Sequence, residues 1–270
     1  MAQDLICGRQ AARALDQALR DPSGSPPGIQ MVYISDSFPA KIKKELSALL
    51  GKGPVQTVSS AELSRLTDLR HQGIVIRLKA SSGSGSVESK EAGLKQALDE
   101  KPGLYVMLDR IQDEQNLGSI VRSAEALGAK GLIVTGKGAR PGSVAARVSA
   151  GATMLLPIFQ SSSQSVVKTA KNLNYWLLGA DFDPSAEQHK KSLSCHDLSP
   201  LPDSNRLILV IGSEGDGMKS SLLDQCDFTL HIPLRGRTQS LNAGVATAIL
   251  LDRLMEFVDS NTADIQSSVP

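Results

Sequence analysis

The feature that most constrains the fold is a series of short apolar segments separated by helix-length stretches. Near-continuous apolar runs of this kind indicate buried strands. Six occur in the second part of the chain: Leu104–Leu108, Leu132–Thr135, Leu155–Ile158, Trp176–Gly179, Leu207–Ile211 and Thr229–Ile232. Helix-length segments lie among and after them: Gly118–Leu127, Ser163–Leu173 and Leu241–Phe257. Strands that are apolar on both faces and alternate with helices predict an α/β fold with a mostly parallel sheet, covered on both sides.

A Ser/Gly-rich segment divides the chain. Residues 80–87 read ASSGSGSV and precede a charged stretch, ESKE. Small flexible residues of this kind form mobile tethers, and a long surface loop is the alternative. Before this segment, helical spacing alternates with strand-like runs, which indicates a small α/β domain: Gly8–Leu19, Ile29–Ser35, Lys41–Leu50 and Gly73–Leu78. We predict an N-terminal domain at 1–80, a flexible linker at 81–95, a larger domain at 96–258 and a frayed polar tail at 259–270.

Composition argues against several classes of protein. The chain has 29 Lys and Arg against 28 Asp and Glu, a net charge of +1, which is unlike a histone-type binder. Aromatic residues make up 3%, so base stacking is a poor first hypothesis for nucleic-acid binding. The charge is uneven, however, because residues 1–80 carry +4 and residues 81–270 carry −3. Chance variation between two domains is the alternative explanation of that difference.

The cysteines and the N-terminus indicate the compartment. Cys7, Cys195 and Cys226 are far apart and form no C-x-x-C pair, so neither a structural zinc site nor a redox motif is supported. The first residues lack the basic and apolar regions of a secretory signal. No apolar run approaches the ~20 residues that a membrane span needs. These features predict a cytoplasmic protein.

Three motifs follow predicted strands, where the ligands of an open parallel sheet bind. The first runs from Asn116 through Gly118 to Arg122. Asn116 is well placed as a helix N-cap, and Gly128 as the residue that ends the helix. Arg122 lies in the second helical turn, where the helix dipole disfavours a cation. That position suggests a functional role, and a solvated surface arginine is the alternative.

The second motif is Gly212-x-Glu214-Gly215-x-Gly217, which joins an apolar strand to a helix. Its glycines allow positive φ and close approach of the backbone to a ligand. It matches neither the dinucleotide-binding nor the Walker pattern, and Glu214 would repel a phosphate. A tight turn without a ligand is the alternative.

The third motif runs from Ile232-Pro233 through Arg235 and Arg237 to Ser240-Leu241-Asn242. A strand ends at the proline, a polar loop follows, and Ser240 or Asn242 is expected to cap a long apolar helix. Capping accounts for one of these two residues. It explains neither the other one nor the two arginines of the loop.

Together, the three motifs resemble those of the SpoU (TrmH-type) RNA ribose methyltransferases of the SPOUT superfamily, in the family's order and across residues 104–257. Val148-Ser-Ala-Gly151-Ala is similar to the family's S-x-G-A segment. Gly8-Arg-Gln-Ala-Ala and His71-Gln-Gly-Ile-Val resemble parts of the family's N-terminal RNA-recruiting domain, which has a ribosomal-protein-like α/β fold. One departure is Asn242-Ala-Gly244, where the family usually has Asn-Val-Ser, so a hydroxyl near the cofactor loop is missing.

The resemblance implies a homodimer that transfers a methyl group from S-adenosyl-L-methionine to a ribose 2′-hydroxyl of structured RNA. It also implies a trefoil knot near the C-terminus. In the family pattern Arg122 is catalytic, with Asn116 and Glu214 orienting it. The family's cofactor positions correspond to Gly212, Gly215, Gly217, Ile232, Ser240, Leu241 and Asn242. No metal is expected, because no phosphoryl group or water is activated.

The RNA partner is implied more coarsely. The two-domain layout is similar to that of enzymes acting on guanosine in large-subunit ribosomal RNA, with tRNA as the alternative substrate and a non-catalytic RNA-binding homologue as a further alternative. Arginine normally stays protonated, so Arg122 is expected to hold the RNA phosphate and ribose, and the route of the 2′-hydroxyl proton stays open. Candidates for phosphate contacts, with ordinary surface charge as the alternative, are Lys137, Arg140, Arg147, Arg235 and Arg237.

Overall fold

The structure is a computed structural model that describes residues 5–21, 28–50, 54–68, 70–79, 91–136, 138–139, 141–181 and 192–267. Most of the predicted linker lies outside these residues, as do Lys137 and Arg140. The described residues form two sheets, one of four strands and one of seven. None of the described helices is both long enough and apolar enough to cross a membrane.

The four-stranded sheet belongs to the N-terminal part of the chain. Its elements are β1 (Leu5–Cys7), α1 (Arg9–Arg20), β2 (Ile29–Ser35), α2 (Ala40–Leu50), β3 (Val55–Val58), α3 (Ser60–Leu66) and β4 (Ile74–Leu78). The strand order is β1-β4-β2-β3, and only the β2–β3 pair is parallel. The predicted helices and strands are present. The sequence pattern missed β1, β3 and α3, because elements of three to seven residues are too short to show a period.

The seven-stranded sheet carries the second part of the chain. Its elements are α4 (Glu91–Glu100), β5 (Leu104–Asp109), α5 (Glu114–Ala126), β6 (Gly131–Thr135), α6 (Ser143–Val148), a 3₁₀ turn (Ala152–Met154), β7 (Ile158–Ser161), α7 (Ser163–Asn172), β8 (Trp176–Ala180), β9 (Ser192–Ser194), β10 (Leu207–Ile211), α8 (Ser220–Leu223), β11 (Phe228–His231) and α9 (Ala243–Ser267). The strand order is β7-β6-β5-β10-β8-β11-β9, and every pairing is parallel. The predicted parallel sheet is confirmed.

Both faces of this sheet are covered, as the apolar strands require. Alternate residues of β5 point in opposite directions, so Val106 packs in the core beneath α5 and α9, whereas Met107 packs beneath α4 and α7. β5, β6 and β10 are buried along their whole length. The central strands therefore have no solvent-facing side, and ligands can reach the sheet only at its ends.

Several boundaries differ from the sequence-based predictions, among them the start of α5, which is Glu114 and not Gly118. The strand predicted at Leu155–Ile158 begins at Ile158, because Pro157 has no N–H to donate to a neighbouring strand. The segment predicted as a polar tail continues α9 as far as Ser267, since no proline or glycine interrupts the helix there. Residues 91–95 of the predicted linker are helical, because Leu94 and Leu98 lie one turn apart and are both buried in the core.

The two parts of the chain share a small apolar contact. Ala146 and Met154 belong to the same core cluster as the buried residues of α1. Gly151 has a φ of 94°, and a Cβ placed there would lie 2.9 Å from the Cβ of Ala14. Glycine is therefore required at Gly151 both by the backbone conformation and by the approach of α1. The trefoil knot stays a prediction.

Candidate active site

A pocket of about 500 Å³ opens where the parallel strands β8, β10 and β11 end. Strand-end residues form its floor, and the loops after β10 and β11 form its walls. All seven residues predicted to bind a cofactor line this pocket: Gly212, Gly215, Gly217, Ile232, Ser240, Leu241 and Asn242. The tertiary structure thus brings together two motifs that lie far apart in the sequence.

The loop after β10 is a closed turn. Ser213 and Gly217 exchange two backbone hydrogen bonds of 3.1 and 3.0 Å, and Gly217 has a φ of 64°. A Cβ at Gly212 would lie 2.3 Å from the carbonyl carbon of Gly217, so a side chain at position 212 would force the turn open. Turn geometry therefore explains Gly212 and Gly217, whereas a Cβ at Gly215 would meet nothing within 4 Å. The three glycines also leave bare backbone facing the pocket.

A hydrogen-bonded cluster joins the three motifs at the edge of the pocket. The amide nitrogen of Asn116 donates to Glu214 Oε1 at 2.5 Å, and that of Asn242 donates to the same oxygen at 3.1 Å. Asn242 Nδ2 also donates to Asn116 Oδ1 at 2.8 Å. An ionised carboxylate only accepts hydrogen bonds, so both amides turn their nitrogen atoms toward Glu214. The cluster links α5, the loop after β10 and the start of α9.

The capping roles differ from part of the prediction. Asn116 is not the N-cap of α5, because the carboxylate of Asp113 accepts the Gln115 N–H at 2.8 Å and fills that position. Asn116 lies in the first turn, buried, with its side chain committed to the cluster. Of the two candidates for α9, Asn242 is the cap, since its Oδ1 accepts from the Gly244 N–H at 2.9 Å. Gly128 ends α5 with a φ of 84°, as expected.

Gly244, the departure from the family pattern, has a packing reason. A Cβ there would lie 2.7 Å from the hydroxyl oxygen of Ser119 and 3.0 Å from its Cβ. Gly244 therefore allows α9 to approach α5 at the point where a hydroxyl is already present on Ser119. The two helices that carry Asn242 and Asn116 are held close together at this contact.

None of the predicted arginines that the structure describes lines the pocket. Arg122 is exposed on α5, and within the described part of the chain it makes no hydrogen bond or ion pair. It lies about 9 Å further along the helix than Asn116 and about 120° around it. The predicted orientation of Arg122 by Asn116 and Glu214 is therefore not seen, because those side chains bond to each other and to Asn242 instead.

The predicted phosphate contacts are dispersed. Arg235 and Arg237 are exposed in the loop between β11 and α9, on the pocket side of the molecule. Arg147 is exposed at the end of α6 and lies near Cys7 of β1. There, burial raises the pKa of the Cys7 thiol, and the charge of Arg147 partly opposes that rise. Arg147 is thus placed between the two parts of the chain, away from the pocket.

The lining of the pocket determines what it can hold. Its ionisable side chains are Asp181 and Glu214, and none of the described lining residues is Lys, Arg or His. Most of the remaining wall is apolar, including Ile211, Ile232 and Leu250. The pocket is in the usual size range for small-molecule sites. Its charge suits a cationic ligand with an apolar body, not a phosphate ester. S-adenosyl-L-methionine, which carries a sulfonium and an ammonium group and no phosphate, fits this donor set.

Asp181 is the ionisable lining residue that the motif analysis missed. It directly follows β8, and its backbone N–H donates to the Leu230 carbonyl of β11 at 2.9 Å. A polar residue just after a buried parallel strand was the only signal that could have identified it.

Two further kinds of site are a metal centre and a reactive thiol. The described residues contain no group of three His, Cys, Asp or Glu side chains placed to hold a metal ion. Burial raises the pKa of Cys226 to about 12 and also raises that of Cys195. These thiols are protonated at neutral pH and are poor nucleophiles.

Comparisons with known proteins show the family and the fold. The model of the SpoU rRNA Methylase family matches residues 103–252. A second model, described as RNA 2′-O ribose methyltransferase substrate binding, matches residues 5–83. A Staphylococcus saprophyticus protein named as a TrmH family tRNA/rRNA methyltransferase is 30% identical over 259 residues, which cover 93% of this chain and 94% of that protein. The 23S rRNA (guanosine-2′-O-)-methyltransferase RlmB of Haemophilus influenzae is 32% identical over 207 residues, covering 75% of this chain and 78% of that protein.

Solved structures show the same fold. An AdoMet-bound rRNA methyltransferase from Sinorhizobium meliloti superposes with a TM-score of 0.71 at 22% identity, covering 93% of this chain and 86% of that one. The SpoU methyltransferase AviRb from Streptomyces viridochromogenes gives a TM-score of 0.67 at 24% identity, covering 96% and 90%. With three motifs meeting at one pocket, and with a family model that matches most of the second domain, this chain belongs to the SpoU rRNA methylase family and is an RNA methyltransferase.

Proposed function

We propose that this RNA methyltransferase transfers the methyl group of S-adenosyl-L-methionine to the 2′-hydroxyl of a guanosine ribose in large-subunit ribosomal RNA. The pocket carries this proposal, because it combines an apolar wall with Asp181 and Glu214 and has no cationic side chain among its described lining residues. A cationic nucleoside without phosphate groups satisfies both conditions.

Different residues of the chain would contact the cofactor and position the helices beside it. Bare backbone at Gly212, Gly215 and Gly217 would lie against the cofactor, and Ile232 and Leu241 would flank it with apolar surface. The cluster of Asn116, Glu214 and Asn242 fixes the first turns of α5 and α9 beside the pocket mouth. Bound S-adenosyl-L-methionine supplies a methyl group on a positively charged sulfur, which is electrophilic without further activation. The protein then has to align the acceptor oxygen and assist loss of its proton.

Arg122 is proposed to hold the phosphate next to the target ribose; because it lies outside its own pocket, it would do so at the pocket of the second copy in the homodimer proposed below. Its guanidinium is exposed and without a partner among the described residues, so it is free to form the bidentate contact that arginine makes with phosphate.

The choice of RNA follows from the relatives. The relative from Haemophilus influenzae is named for guanosine methylation in 23S rRNA, and its match extends over 75% of this chain. The N-terminal substrate-binding match provides the RNA-recruiting part. We also propose a homodimer: Leu241 and Val245 at the start of α9 are 37% and 49% exposed, and a second copy packed on this end of α9 would cover them.

The test combines methyl transfer with mapping. When purified protein and labelled S-adenosyl-L-methionine are incubated with either ribosomal RNA or tRNA, we expect label in the ribosomal RNA. In RNA from a deletion strain, 2′-O-methyl mapping should show one guanosine that is unmodified. Arg122→Ala should abolish transfer while leaving cofactor affinity unchanged by calorimetry. Lys168→Ala, which removes an exposed cation from α7 on the opposite face of the sheet, is the matched control.

Each outcome has a defined meaning. Label only in tRNA would replace the proposed substrate and retain the activity. Cofactor binding without transfer to any cellular RNA would instead favour a non-catalytic RNA-binding homologue. Full transfer by Arg122→Ala would refute the role given to that residue, and a monomer by light scattering would refute the proposed dimer.

A further inference from the structure

Arg110 has an unusual backbone for a non-glycine residue. It follows the end of β5 with a φ of 61°, in the left-handed region. Only three other non-glycine residues of the described chain share that property: Gln72, Ala150 and Asn174. An L-residue with a Cβ is strained in this conformation, and glycine would avoid that strain. A contact made by the Arg110 side chain can offset it.

The guanidinium of Arg110 bridges two backbone segments. Its Nε donates to Asp109 Oδ2 at 3.2 Å, and its Nη2 donates to the carbonyl oxygen of Gly217 at 3.3 Å. Asp109 is 1% exposed, and the same carboxylate oxygen accepts the Lys219 N–H at 3.2 Å. A buried carboxylate needs such partners. The pair thus joins the end of β5 to the loop that follows β10.

The contacts meet at the two sides of one turn. The Gly217 carbonyl accepts from Arg110 and also from the backbone N–H and the hydroxyl of Ser213, at 3.1 and 3.2 Å. Asp109 holds the chain two residues later, at Lys219. The residues between these anchors and Gly212 form the glycine-rich wall of the pocket and carry Glu214. Movement of the Gly217 carbonyl would therefore displace the glycine-rich wall and Glu214 together.

We propose that Arg110 is a positioning residue for cofactor binding: with Asp109 it holds the loop at residues 212–219 in the conformation that shapes the pocket. Arg110 does not itself line the pocket, so it acts through Gly217 and the turn. The inference rests on the proposed function, since it assumes that this pocket binds S-adenosyl-L-methionine.

Backbone strain separates this role from a merely structural one. Replacing Arg110 by glycine removes the guanidinium and also relieves the left-handed conformation. If Arg110 contributed only to stability, its loss would lower the melting temperature. A positioning residue would instead weaken ligand binding while the melting temperature stays the same or rises.

The experiment measures affinity and stability in the same variants. Calorimetry with S-adenosylhomocysteine, the stable demethylated form of the cofactor, should give Arg110→Gly a Kd about tenfold higher than the wild type, as expected for loss of one hydrogen bond from a charged donor. The melting temperature without ligand should not fall, because relief of the left-handed conformation offsets the lost contact with Asp109, which keeps the Lys219 N–H. Arg110→Lys should recover part of the affinity, because an ammonium group cannot contact Asp109, Asp216 and the Gly217 carbonyl together as the guanidinium does. Amide exchange at Lys219 should accelerate in Arg110→Gly.

Asn174→Gly is the matched control. Asn174 has a φ of 57°, is exposed, and follows α7. Its replacement relieves the same kind of backbone strain and should leave the Kd unchanged. Wild-type affinity in Arg110→Gly, or a fall in melting temperature that accompanies the loss of affinity, would overturn the inference. Failure of the wild-type protein to bind S-adenosylhomocysteine would refute the proposed function itself, which is a distinguishable result.

Discussion

Asn242→Asp tests whether the cluster of Asn116, Glu214 and Asn242 depends on the charge of Glu214. The substitution keeps the size of the side chain and an oxygen that can cap α9 through the Gly244 N–H. It replaces the amide nitrogen, which now lies 3.1 Å from Glu214 Oε1 and 2.8 Å from Asn116 Oδ1, by a carboxylate oxygen. Two donated hydrogen bonds are lost, and two carboxylates face each other.

The expected magnitude follows from distance and exposure. Two unit charges about 4 Å apart repel by about 1 kcal/mol in water and about 4 kcal/mol near a protein surface. Glu214 and Asn242 are both exposed, so the repulsion lies toward the lower value, and the lost hydrogen bonds add about 1 kcal/mol. We expect a loss of about 2 kcal/mol at pH 7.5, or a fall in melting temperature of about 4–8 °C for a chain of this size. Cofactor binding should weaken in parallel.

The pH dependence has a definite sign. The introduced carboxyl is held next to a like charge, so its protonated form is favoured. The loss is therefore complete at neutral pH and shrinks as the pH falls toward about 5, where a protonated carboxyl can donate to Glu214. High salt should reduce it as well.

The assay is thermal unfolding together with calorimetry of S-adenosylhomocysteine binding, between pH 5 and pH 8. Asn242→Ala is the control, because it removes the same hydrogen bonds and the cap without adding a charge, and its deficit should not vary with pH. A deficit of Asn242→Asp that is constant across the range, or wild-type stability at pH 7.5, would refute the geometry assigned to the cluster.

Three further predictions concern the frame around the site. Gly118→Ala would place a Cβ 2.7 Å from the Cβ of Val148. The overpacking should cost about 1–3 kcal/mol, more than the gain in helix propensity of about 1 kcal/mol. Urea unfolding should therefore show a net loss of stability, and a gain in stability would contradict the close contact between α5 and α6. Asp113→Ala removes the N-cap of α5 and should cost about 1 kcal/mol in the same assay, whereas Asp113→Asn should cost little. Because partial burial raises the pKa of Cys226 to about 12, alkylation of this thiol at pH 8 should be slow in the native protein and fast in denaturant; rapid native labelling, measured by mass spectrometry, would contradict the raised pKa.

Local sequence patterns were sufficient for the long apolar strands. Strands such as β5 and β10 are buried on both faces, so successive residues lie in the same apolar environment and the run of apolar residues is continuous. Strand β9 has three residues and lies at the sheet edge, where alternation and length carry no signal. The helical end of the chain was missed for a related reason: a polar sequence at the end of a helix does not differ from that of a tail.

Motif analysis identified the residues of the pocket but not their contacts. The seven predicted cofactor residues line one cavity because β10 and β11 end at the same edge of a parallel sheet. That Asn116 pairs with Glu214 could not be read from residues 98 positions apart in the sequence. The capping prediction for Asn116 was wrong because Asp113 caps the helix, which leaves the side chain of Asn116 available for the cluster.

By itself, the sequence determined the α/β class, the parallel sheet and the strand ends at which the chemistry has to lie, because these depend on local periodicity and on the residues that follow each strand. The tertiary structure decided which side chains share hydrogen bonds, since a bond such as that from Arg110 to the Gly217 carbonyl depends on the order of strands in the sheet. It also supplied the reason for Gly244, whose missing side chain makes room for Ser119 on a helix more than a hundred residues earlier.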